Sequence, residues 1–225
     1  MTSLLSGRGL VKRYGVAYAL AGVDIDIDAG EALAIVGPSG SGKTSLLHVL
    51  AGILKSDEGA ITLGGQRIDQ LSETKRSELR RTEFGFVFQS GMLVAELTAE
   101  ENVALPLLLG GRGRAMAIST ARTWLGRLGL AGKENRRPGE MSGGEAQRVA
   151  IARAIAHRPK VIFADEPTGA LDTRTGHATI GALVDAARET GAAVVVVTHD
   201  REIAAMMPRT VAIRDGRIEQ PVAAR

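Results

Sequence analysis

A glycine-rich stretch between a strand pattern and a helix pattern constrains this chain more than any other feature. The apolar run 32–36 has strand character and ends at Gly37, and an apolar helical pattern over 46–50 begins just after Lys43. Between them the chain reads GPSGSGKT, which matches the phosphate-binding loop G-x-x-x-x-G-K-[S/T] in its strand-to-helix context. The alternative is a glycine- and serine-rich turn that carries a lysine by chance. It would not explain why the glycine and lysine spacing, the preceding strand and the following helix all match the motif. The stretch therefore predicts an α/β protein that binds a nucleotide.

Each part of this loop has a predicted task. The glycines allow backbone N–H groups to turn inward around phosphate oxygens, and the helix that follows directs its positive end at the same anion. Lys43 is expected to reach the β- and γ-phosphates, and the Thr44 hydroxyl to bind Mg²⁺. The predicted nucleotide-binding residues of the loop are Gly37, Pro38, Ser39, Gly40, Ser41, Gly42, Lys43, Thr44 and Ser45.

The composition excludes several other classes of protein. A length of 225 residues suits one large α/β domain, predicted to span 1–225, and 44% hydrophobic with 24% charged residues is ordinary for a globular protein. The formal net charge is only +3, so no nucleic-acid partner is predicted. The chain has no cysteine, which excludes disulfides and thiolate metal sites.

No apolar stretch is long enough to cross a bilayer. The longest candidates, 103–109 and 192–197, fall well short of the roughly 18 residues that a spanning helix needs. If the protein works at a membrane, another polypeptide must supply the membrane-embedded part.

The remaining patterns predict a parallel α/β core with two additions. One addition is an N-terminal antiparallel sheet, and the other is an inserted helical segment over about 90–160, in which Pro106 should kink or end the first helix. The predicted strands of the antiparallel sheet are 4–11, 23–28 and a hairpin within 60–69. The predicted core strands are 84–88, 161–166 and 192–197, with a final hairpin over 210–219.

Two carboxylates follow a buried strand pattern. Asp165 and Glu166 come after the apolar run 161–164, and ligands of open parallel sheets bind at the carboxyl ends of the strands. Asp165 is expected to hold Mg²⁺ and Glu166 to act as general base toward the attacking water. Paired acids that only cap a helix are the alternative, which the phosphate-binding loop in the same chain disfavours.

Two further polar residues stand at strand exits. Gln89 follows the strand 84–88 and His199 follows the strand 192–197, where each could reach the phosphates. His199 could donate a hydrogen bond to the γ-phosphate, although a histidine with a purely structural role fits the same position. Tyr14, in the loop predicted between the first two strands, could stack on an adenine ring or could simply be a surface tyrosine.

A second anion-binding turn precedes the helical pattern 148–156. The residues Ser142, Gly143, Gly144 and Glu145 open this helix, so backbone N–H groups and the helix dipole again favour an anion. Since the chain already has a phosphate-binding loop, this turn is expected to serve a nucleotide bound by a second copy. Two copies arranged head to tail would then enclose two ATP molecules.

These motifs together resemble the ATP-binding subunits of ABC transporters, over essentially the whole chain. The resemblance rests on GPSGSGKT, Gln89, MSGGEAQ, VIFADE, GALD and His199, in the family's order. It implies that Gln89 contacts Mg²⁺ and the membrane partner, that Tyr14 stacks on adenine, and that Asp172 links the subunits. The implied catalytic set is Glu166, His199 and Gln89, and the implied metal set is Thr44, Gln89 and Asp165. Met141 and Ala146 depart from the usual leucine and glutamine beside the Ser-Gly-Gly core.

Within that family, the segments LRR, FGFVFQS, LTAEENV and ADEPTG resemble the macrolide-exporter and lipoprotein-release branch (MacB- and LolD-like). The resemblance implies a separate permease with four transmembrane helices, an ATPase at the cytoplasmic face of the plasma membrane, and export or extraction of an amphipathic antibiotic, peptide, lipid or haem. Gly91, Ala95 and Glu96 depart from the branch where the permease would bind. Two other functions remain open at this point: transmission of force to cell-wall enzymes, and a soluble ABC ATPase of translation or DNA repair.

Overall fold

A six-stranded sheet forms the centre of the molecule, which is described here from a computed structural model that covers residues 3–219. Its strand order is β10-β9-β3-β8-β7-β6, with parallel pairing from β9 through β6 and an antiparallel β10 at one edge. The strands of the described chain are β1 (Leu5–Tyr14), β2 (Ala17–Ile27), β3 (Ala32–Val36), β4 (Glu58–Leu63), β5 (Gln66–Arg67), β6 (Phe84–Phe88), β7 (Val161–Asp165), β8 (Ala193–Val197), β9 (Arg209–Arg214) and β10 (Arg217–Ile218). The predicted mostly parallel sheet is confirmed, and the outermost residues of the predicted domain 1–225 lie outside the described range.

A second, four-stranded sheet has the order β2-β1-β4-β5 and is antiparallel throughout. This confirms the predicted N-terminal antiparallel sheet and the hairpin that extends it. The first two strands are longer than predicted, because their pairing continues to Tyr14 and Ala17 at the hairpin end. The prediction that Tyr14 lies in a loop is therefore wrong: it is the last residue of β1.

Seven α-helices flank the sheets within residues 3–219. They are α1 (Lys43–Leu50), α2 (Glu73–Thr82), α3 (Ala99–Leu109), α4 (Arg114–Arg127), α5 (Gly143–Ile155), α6 (Thr173–Thr190) and α7 (Arg201–Ala205). The helix α1 shares a buried apolar cluster with both sheets, through side chains such as Leu46 and Leu50. It therefore lies between the sheets and begins at the edge where the parallel strands end.

The central strand β7 is apolar on both faces. Val161 and Phe163 belong to the cluster with α1 and the antiparallel sheet, and Ile162 and Ala164 belong to the cluster with α3, α4, α5 and α6. All four side chains are essentially inaccessible to solvent. A parallel strand covered by helices or sheet on both sides reads as continuous apolar sequence, and this explains the run VIFA. The first polar side chain can only appear where the strand ends, at Asp165.

The helix α3 continues through Pro106, so of the two predicted effects of this proline, a kink or an end of the helix, the structure excludes the end. Thr98 caps α3 in a capping box with Glu101, and the helix continues to Leu109. Proline removes one backbone hydrogen bond of the helix. Burial of Val103 and Leu107, on either side of the proline, holds the helix together across this point.

The last hairpin positions the phosphate-binding loop. Asp215 and Gly216 both have positive φ, at 49° and 71°, as the Asp-Gly signal for a type I′ turn predicts. The Gly216 N–H donates to the Ser41 carbonyl at 3.0 Å, and its carbonyl accepts from Ala21 at 2.9 Å. The turn thus ties the loop after β3 to β2. Within the described range, no helix is both long and apolar enough to span a bilayer.

Candidate functional site

The loop between β3 and α1 is built around Lys43. Its side chain is almost buried, and Nζ donates to the carbonyls of Gly37 at 2.9 Å and Pro38 at 2.8 Å. Gly42 has a φ of 105°, and a Cβ there would lie 2.2 Å from the Ala19 carbonyl of β2. Glycine is therefore required at Gly42, both by the left-handed backbone and by the strand behind it.

Two features of this loop fit a phosphate group. The helix α1 has no side-chain cap and no acidic residue in its first turn, so its first N–H groups remain available to an anion. The Ser41 hydroxyl is buried and has no hydrogen-bond partner among the described residues. A buried polar group without a partner is costly, and a ligand oxygen would satisfy it.

Thr44 and Asp165 bring two oxygen donors together. The Thr44 hydroxyl donates to Asp165 Oδ1 at 3.1 Å, and both residues line a cavity of about 340 Å³ with Gln89 and Glu166. Burial raises the pKa of the Asp165 carboxyl, the Glu166 charge adds to the rise, and the Thr44 hydrogen bond opposes it. A cation would stabilise the ionised carboxylate. Hydroxyl, carboxylate and amide oxygens suit Mg²⁺, which takes few protein ligands beside phosphate oxygens.

Glu166 and His199 are brought together from neighbouring strands. His199 Nδ1 lies 2.9 Å from Glu166 Oε1, and the Glu166 N–H donates to the Val197 carbonyl at 2.9 Å. Glu166 has a φ of +46°, which is unusual for a residue other than glycine. This backbone turns the carboxylate away from the strand and toward the cavity.

The Gln89 side chain lies against the backbone of Gly169. A Cβ on Gly169 would be only 2.7 Å from Gln89 Nε2. The structure therefore places all the predicted metal and catalytic residues at one edge of the sheet; of these, Thr44, Gln89, Asp165 and Glu166 line the cavity.

The turn that begins α5 is a separate surface. Ser142 Oγ accepts from the Glu145 N–H at 3.3 Å, and Glu145 Oε2 accepts from the Ser142 N–H at 3.0 Å, which forms a capping box. Lys133 pairs with the other oxygen of Glu145, and this contact, followed by the Ser142 N–H, lowers the pKa of Glu145 to about 2. Ser142 and Gly143 are exposed, and no residue of this turn is among those that line the cavity.

Gly144, by contrast, is buried against α6. A Cβ at Gly144 would lie 2.4 Å from Thr175 Cγ2. The close approach of the two helices therefore explains this glycine without any ligand.

Tyr14 and Asp172 also lie away from the cavity. The Tyr14 ring is 54% exposed at the tip of the β1–β2 hairpin, with Lys12 Nζ 5.9 Å from its centroid. Asp172 caps α6 by accepting from the Thr175 N–H at 3.0 Å, and the Thr175 side chain, followed by this backbone N–H, lowers the pKa of Asp172.

The sequence reasoning missed several residues around the site. Phe88, Ser90 and Met92 also line the cavity, and their position beside Gln89 in the chain was the available signal. Tyr18 is exposed as much as Tyr14 on the same hairpin, with Arg13 stacked at 4.9 Å from its ring. None of the sequence motifs indicates the ion pair between Lys133 and Glu145.

Comparison with known proteins decides the family. Residues 20–169 match the model of the ABC transporter family. This chain belongs to that family. As an ABC cassette it binds and hydrolyses ATP, so the predicted fold, family membership and ATPase activity are all confirmed.

Similar ABC proteins cover almost the full chain. The lipoprotein-releasing system ATP-binding protein LolD 2 of Caulobacter vibrioides is 46% identical over 220 residues, which are 96% of each chain. LolD of Shewanella oneidensis is 43% identical over 91% of this chain and 89% of its own. The ATP-binding cassette MJ0796, solved as a dimer in a post-hydrolysis state with ADP and Pi, superposes with a TM-score of 0.87 at 38% identity, over 96% of this chain and 97% of that one.

Proposed function

We propose that two copies of this ABC ATPase enclose ATP between the phosphate-binding loop of one copy and the Ser142–Glu145 turn of the other. The observation that carries the proposal is the separation of the two anion-binding turns. The uncapped start of α1 faces the cavity with Asp165, whereas Ser142 and Gly143 are exposed outside it. Because no residue of the turn lines the cavity of its own chain, the turn is assigned to the nucleotide of a second copy. MJ0796, which was solved as a dimer with ADP and Pi, supports the pairing of two copies.

In this proposal the polar residues around the phosphates have distinct roles. Lys43 and the N–H groups of α1 hold the phosphates, and Glu166 accepts the proton of the water that attacks the γ-phosphate. Thr44, Asp165 and Gln89 are the residues that would hold Mg²⁺. When bound, Mg²⁺ would neutralise charge on the phosphate oxygens.

The residues at the rim and in the partner copy complete the site. His199 orients the Glu166 carboxylate through the 2.9 Å contact and lies near the γ-phosphate. Tyr14 is assigned to the adenine ring because it is an exposed aromatic side chain on the hairpin that adjoins the loop. Asp172 and Glu145 shape the surface that meets the second copy, and Gly144 allows α6 to pack closely behind it.

The partner of the ATPase is assigned as a separate membrane permease. An apolar groove of about 560 Å³ opens beside the Gln89 loop, and its floor includes the stacked rings of Phe86 and Phe88, whose centroids are 6.0 Å apart. Met92 and Leu109 stand exposed at its rim, at 61% and 60%. A cytoplasmic segment of a permease with apolar side chains fits this groove, and would place the ATPase at the cytoplasmic face of the membrane.

The proposed task is extraction of an amphipathic, lipid-anchored polypeptide from the membrane. The printed names of the relatives from Caulobacter vibrioides and Shewanella oneidensis, which refer to lipoprotein release, support this choice among the amphipathic compounds.

The test is co-expression with a candidate permease of the lipoprotein-release type from the same genome, followed by co-purification in detergent. Leu109→Glu should reduce recovery of the permease about tenfold or more, because a charge replaces an apolar contact in the groove. Met116→Glu, at a similarly exposed methionine outside the groove, is the matched control. Stimulation of ATP hydrolysis by a triacylated lipopeptide in nanodiscs would support extraction. Equal recovery with both variants would refute the groove as the permease site.

A further inference from the structure

The helix α5 holds the loop that carries Gln89 through three side-chain hydrogen bonds. Gln147 Nε2 donates to the Phe88 carbonyl at 2.9 Å, just before Gln89. Arg153 Nη2 donates to the Gly91 carbonyl at 2.7 Å, and its Nη1 donates to the Met92 carbonyl at 2.7 Å. The backbone on both sides of Gln89 and Ser90 is therefore attached to one helix.

The loop is shaped to accept these bonds. Gly91 and Met92 have φ values of 69° and 45°, so two successive residues have left-handed backbone. A Cβ at Gly91 would lie 3.3 Å from Gln147 Oε1 and 3.6 Å from the Ala150 methyl. The left-handed turn at Gly91 and Met92 therefore packs against the small side chain of Ala150, and directs two successive carbonyls at the guanidinium of Arg153.

Arg153 also lines the apolar groove, but its guanidinium makes hydrogen bonds, within the described residues, only to the loop that carries Gln89. No carboxylate pairs with Arg153 among residues 3–219, and burial lowers the pKa of its guanidinium. A partly desolvated cation is costly unless strong acceptors surround it. The two backbone carbonyls are those acceptors. The planar fork of the guanidinium presents a separate nitrogen, Nη1 or Nη2, to each of them in a fixed geometry, whereas a lysine would have to reach both carbonyls from a single nitrogen at the end of a flexible chain.

The same helix begins at the Ser142 turn. The N-terminal end of α5 is the surface proposed to meet the nucleotide of the second copy, and its C-terminal half carries Arg153. Its apolar face packs against α3, α6 and β6, and closely packed interiors transmit strain. A displacement at the Ser142 end would therefore reach the Gln89 loop through Gln147 and Arg153.

We infer that Gln147 and Arg153 are positioning residues that couple binding of the second copy's ATP at the start of α5 to the placement of Gln89. This inference rests on the proposed sandwich of two copies. Neither side chain needs to touch the nucleotide. Their effect is to set where Gln89 lies relative to Thr44 and Asp165.

The absence of cysteine in the chain permits a direct measurement of this coupling. Ala95→Cys, at an exposed position of the same loop that does not line the cavity, is labelled with a nitroxide in a Glu166→Gln background. Mobility of the label is recorded by electron paramagnetic resonance without nucleotide and with ATP, and dimer formation is followed in parallel by light scattering. Arg153→Lys, Arg153→Met and Gln147→Leu are compared with Arg188→Met, which removes an exposed arginine of α6.

In the labelled parent, ATP should form the dimer and change the mobility of the label. Arg153→Met and Arg153→Lys should both leave the label mobile without nucleotide and abolish most of its response to ATP, while the dimer still forms. In unlabelled protein with Glu166 intact, kcat should fall about fivefold or more with the KM for ATP nearly unchanged, which is the range of typical coupling between sites. Arg188→Met should behave like the parent.

The possible failures are distinguishable. A parent that binds ATP without forming a dimer would refute the proposed sandwich, and the coupling with it. A dimer that forms normally in Arg153→Met, with a label response equal to that of the parent, would refute the coupling alone. Full rescue by Arg153→Lys would also refute it, because a lysine supplies the charge but not the fork.

Discussion

The imidazole Nδ1 of His199 lies 2.9 Å from Oε1 of Glu166, across the junction of two neighbouring parallel strands. A neutral imidazole has a single N–H, so His199 can donate it to the carboxylate or to a phosphate oxygen, but not to both. In the proposed site, a γ-phosphate oxygen would compete with Glu166 for this donor. The contact would then link the proposed general base to the presence of substrate.

Glu166→Gln should preserve ATP binding and nearly abolish hydrolysis. The amide keeps the shape of the side chain but cannot accept the proton of the attacking water, and loss of general-base assistance typically costs about 10²–10⁴-fold in rate. The measurement is steady-state phosphate release beside equilibrium binding of a fluorescent ATP analogue. Hydrolysis within a few-fold of the parent would remove Glu166 from the proposed role.

His199→Ala should lower kcat, and its effect should not add to that of Glu166→Gln. Residues that act as one unit show strong non-additivity, because the second substitution removes an interaction already lost. The double-mutant cycle is read from kcat of the parent, both single variants and the double variant. Additive losses would mean that the contact between the two side chains has no part in turnover.

The local patterns were sufficient to predict the strands and helices that carry the motifs. A run such as VIFA is apolar on both faces because helices or sheet cover β7 on both sides, and the first polar residue after it must lie at the edge. Asp165 and Glu166 could be placed at that edge for this reason alone. The hairpin at Asp215 and Gly216 was equally visible, since the turn type dictates its residues.

Contacts between distant parts of the chain were not predictable in this way. Gln147 and Phe88 are 59 positions apart, and nothing in either local pattern indicates their hydrogen bond. The glycine at 144 was attributed to a ligand, whereas the structure shows that α6 approaches it too closely for a Cβ. Tyr14 was misplaced because strand pairing continues beyond the predicted end of β1. The helix α3 does not end at Pro106 because burial of its apolar side chains overrides the local preference for a helix end.

Lys43→Ala should weaken ATP binding roughly 10- to 100-fold, since hydrogen bonds to charged groups contribute about 1.5–3 kcal/mol each. The lysine already lies inside the loop, held by the carbonyls of Gly37 and Pro38, so little reorganisation precedes binding. The measurement is titration with a fluorescent ATP analogue. Lys55→Ala, at an exposed lysine, controls for the change in charge. Equal affinity of both variants would contradict the placement of the phosphates.

Glu145→Gln should destabilise the fold at neutral pH and lose this effect in acid. The pKa of Glu145 is lowered from its ordinary value of 4.5 to about 2, chiefly by Lys133, so the ionised form stabilises the native state. That contribution is fully present above the unfolded pKa and is lost as the pH falls from 4.5 toward 2. The contribution is measured as the difference in the free energy of urea unfolding between parent and variant, at several pH values from about 2 to neutral. Glu96→Gln is the control for net charge. A difference that persists unchanged in acid would mean that the Lys133 pair does not stabilise the fold.

Gly143 offers a cleaner test of the proposed sandwich than Gly144. It is exposed at the start of α5, and a Cβ there would approach only Leu171 Cδ2, at 3.3 Å, which is the end of a flexible side chain. A carboxylate at the N-terminus of a helix stabilises that helix. Gly143→Asp should therefore preserve the fold of the single copy. A substitution at Gly144 would not, because the new side chain would clash with Thr175.

Gly143→Asp should leave ATP binding by the single copy intact and prevent formation of the ATP-bound dimer, because the new carboxylate repels the phosphates of the second copy's ATP. A mixture with Lys43→Ala decides the arrangement, with Glu166→Gln present in both to prevent hydrolysis. A homodimer of either variant has no complete site, because one half of each of its two sites is altered. The mixed pair retains one site, formed by the Lys43 loop of the Gly143→Asp copy and the intact Ser142 turn of the Lys43→Ala copy. Light scattering should detect the ATP-dependent dimer only in the mixture. Loss of ATP affinity in the single Gly143→Asp copy, to the level of Lys43→Ala, would place the turn on the nucleotide of its own chain and refute the sandwich.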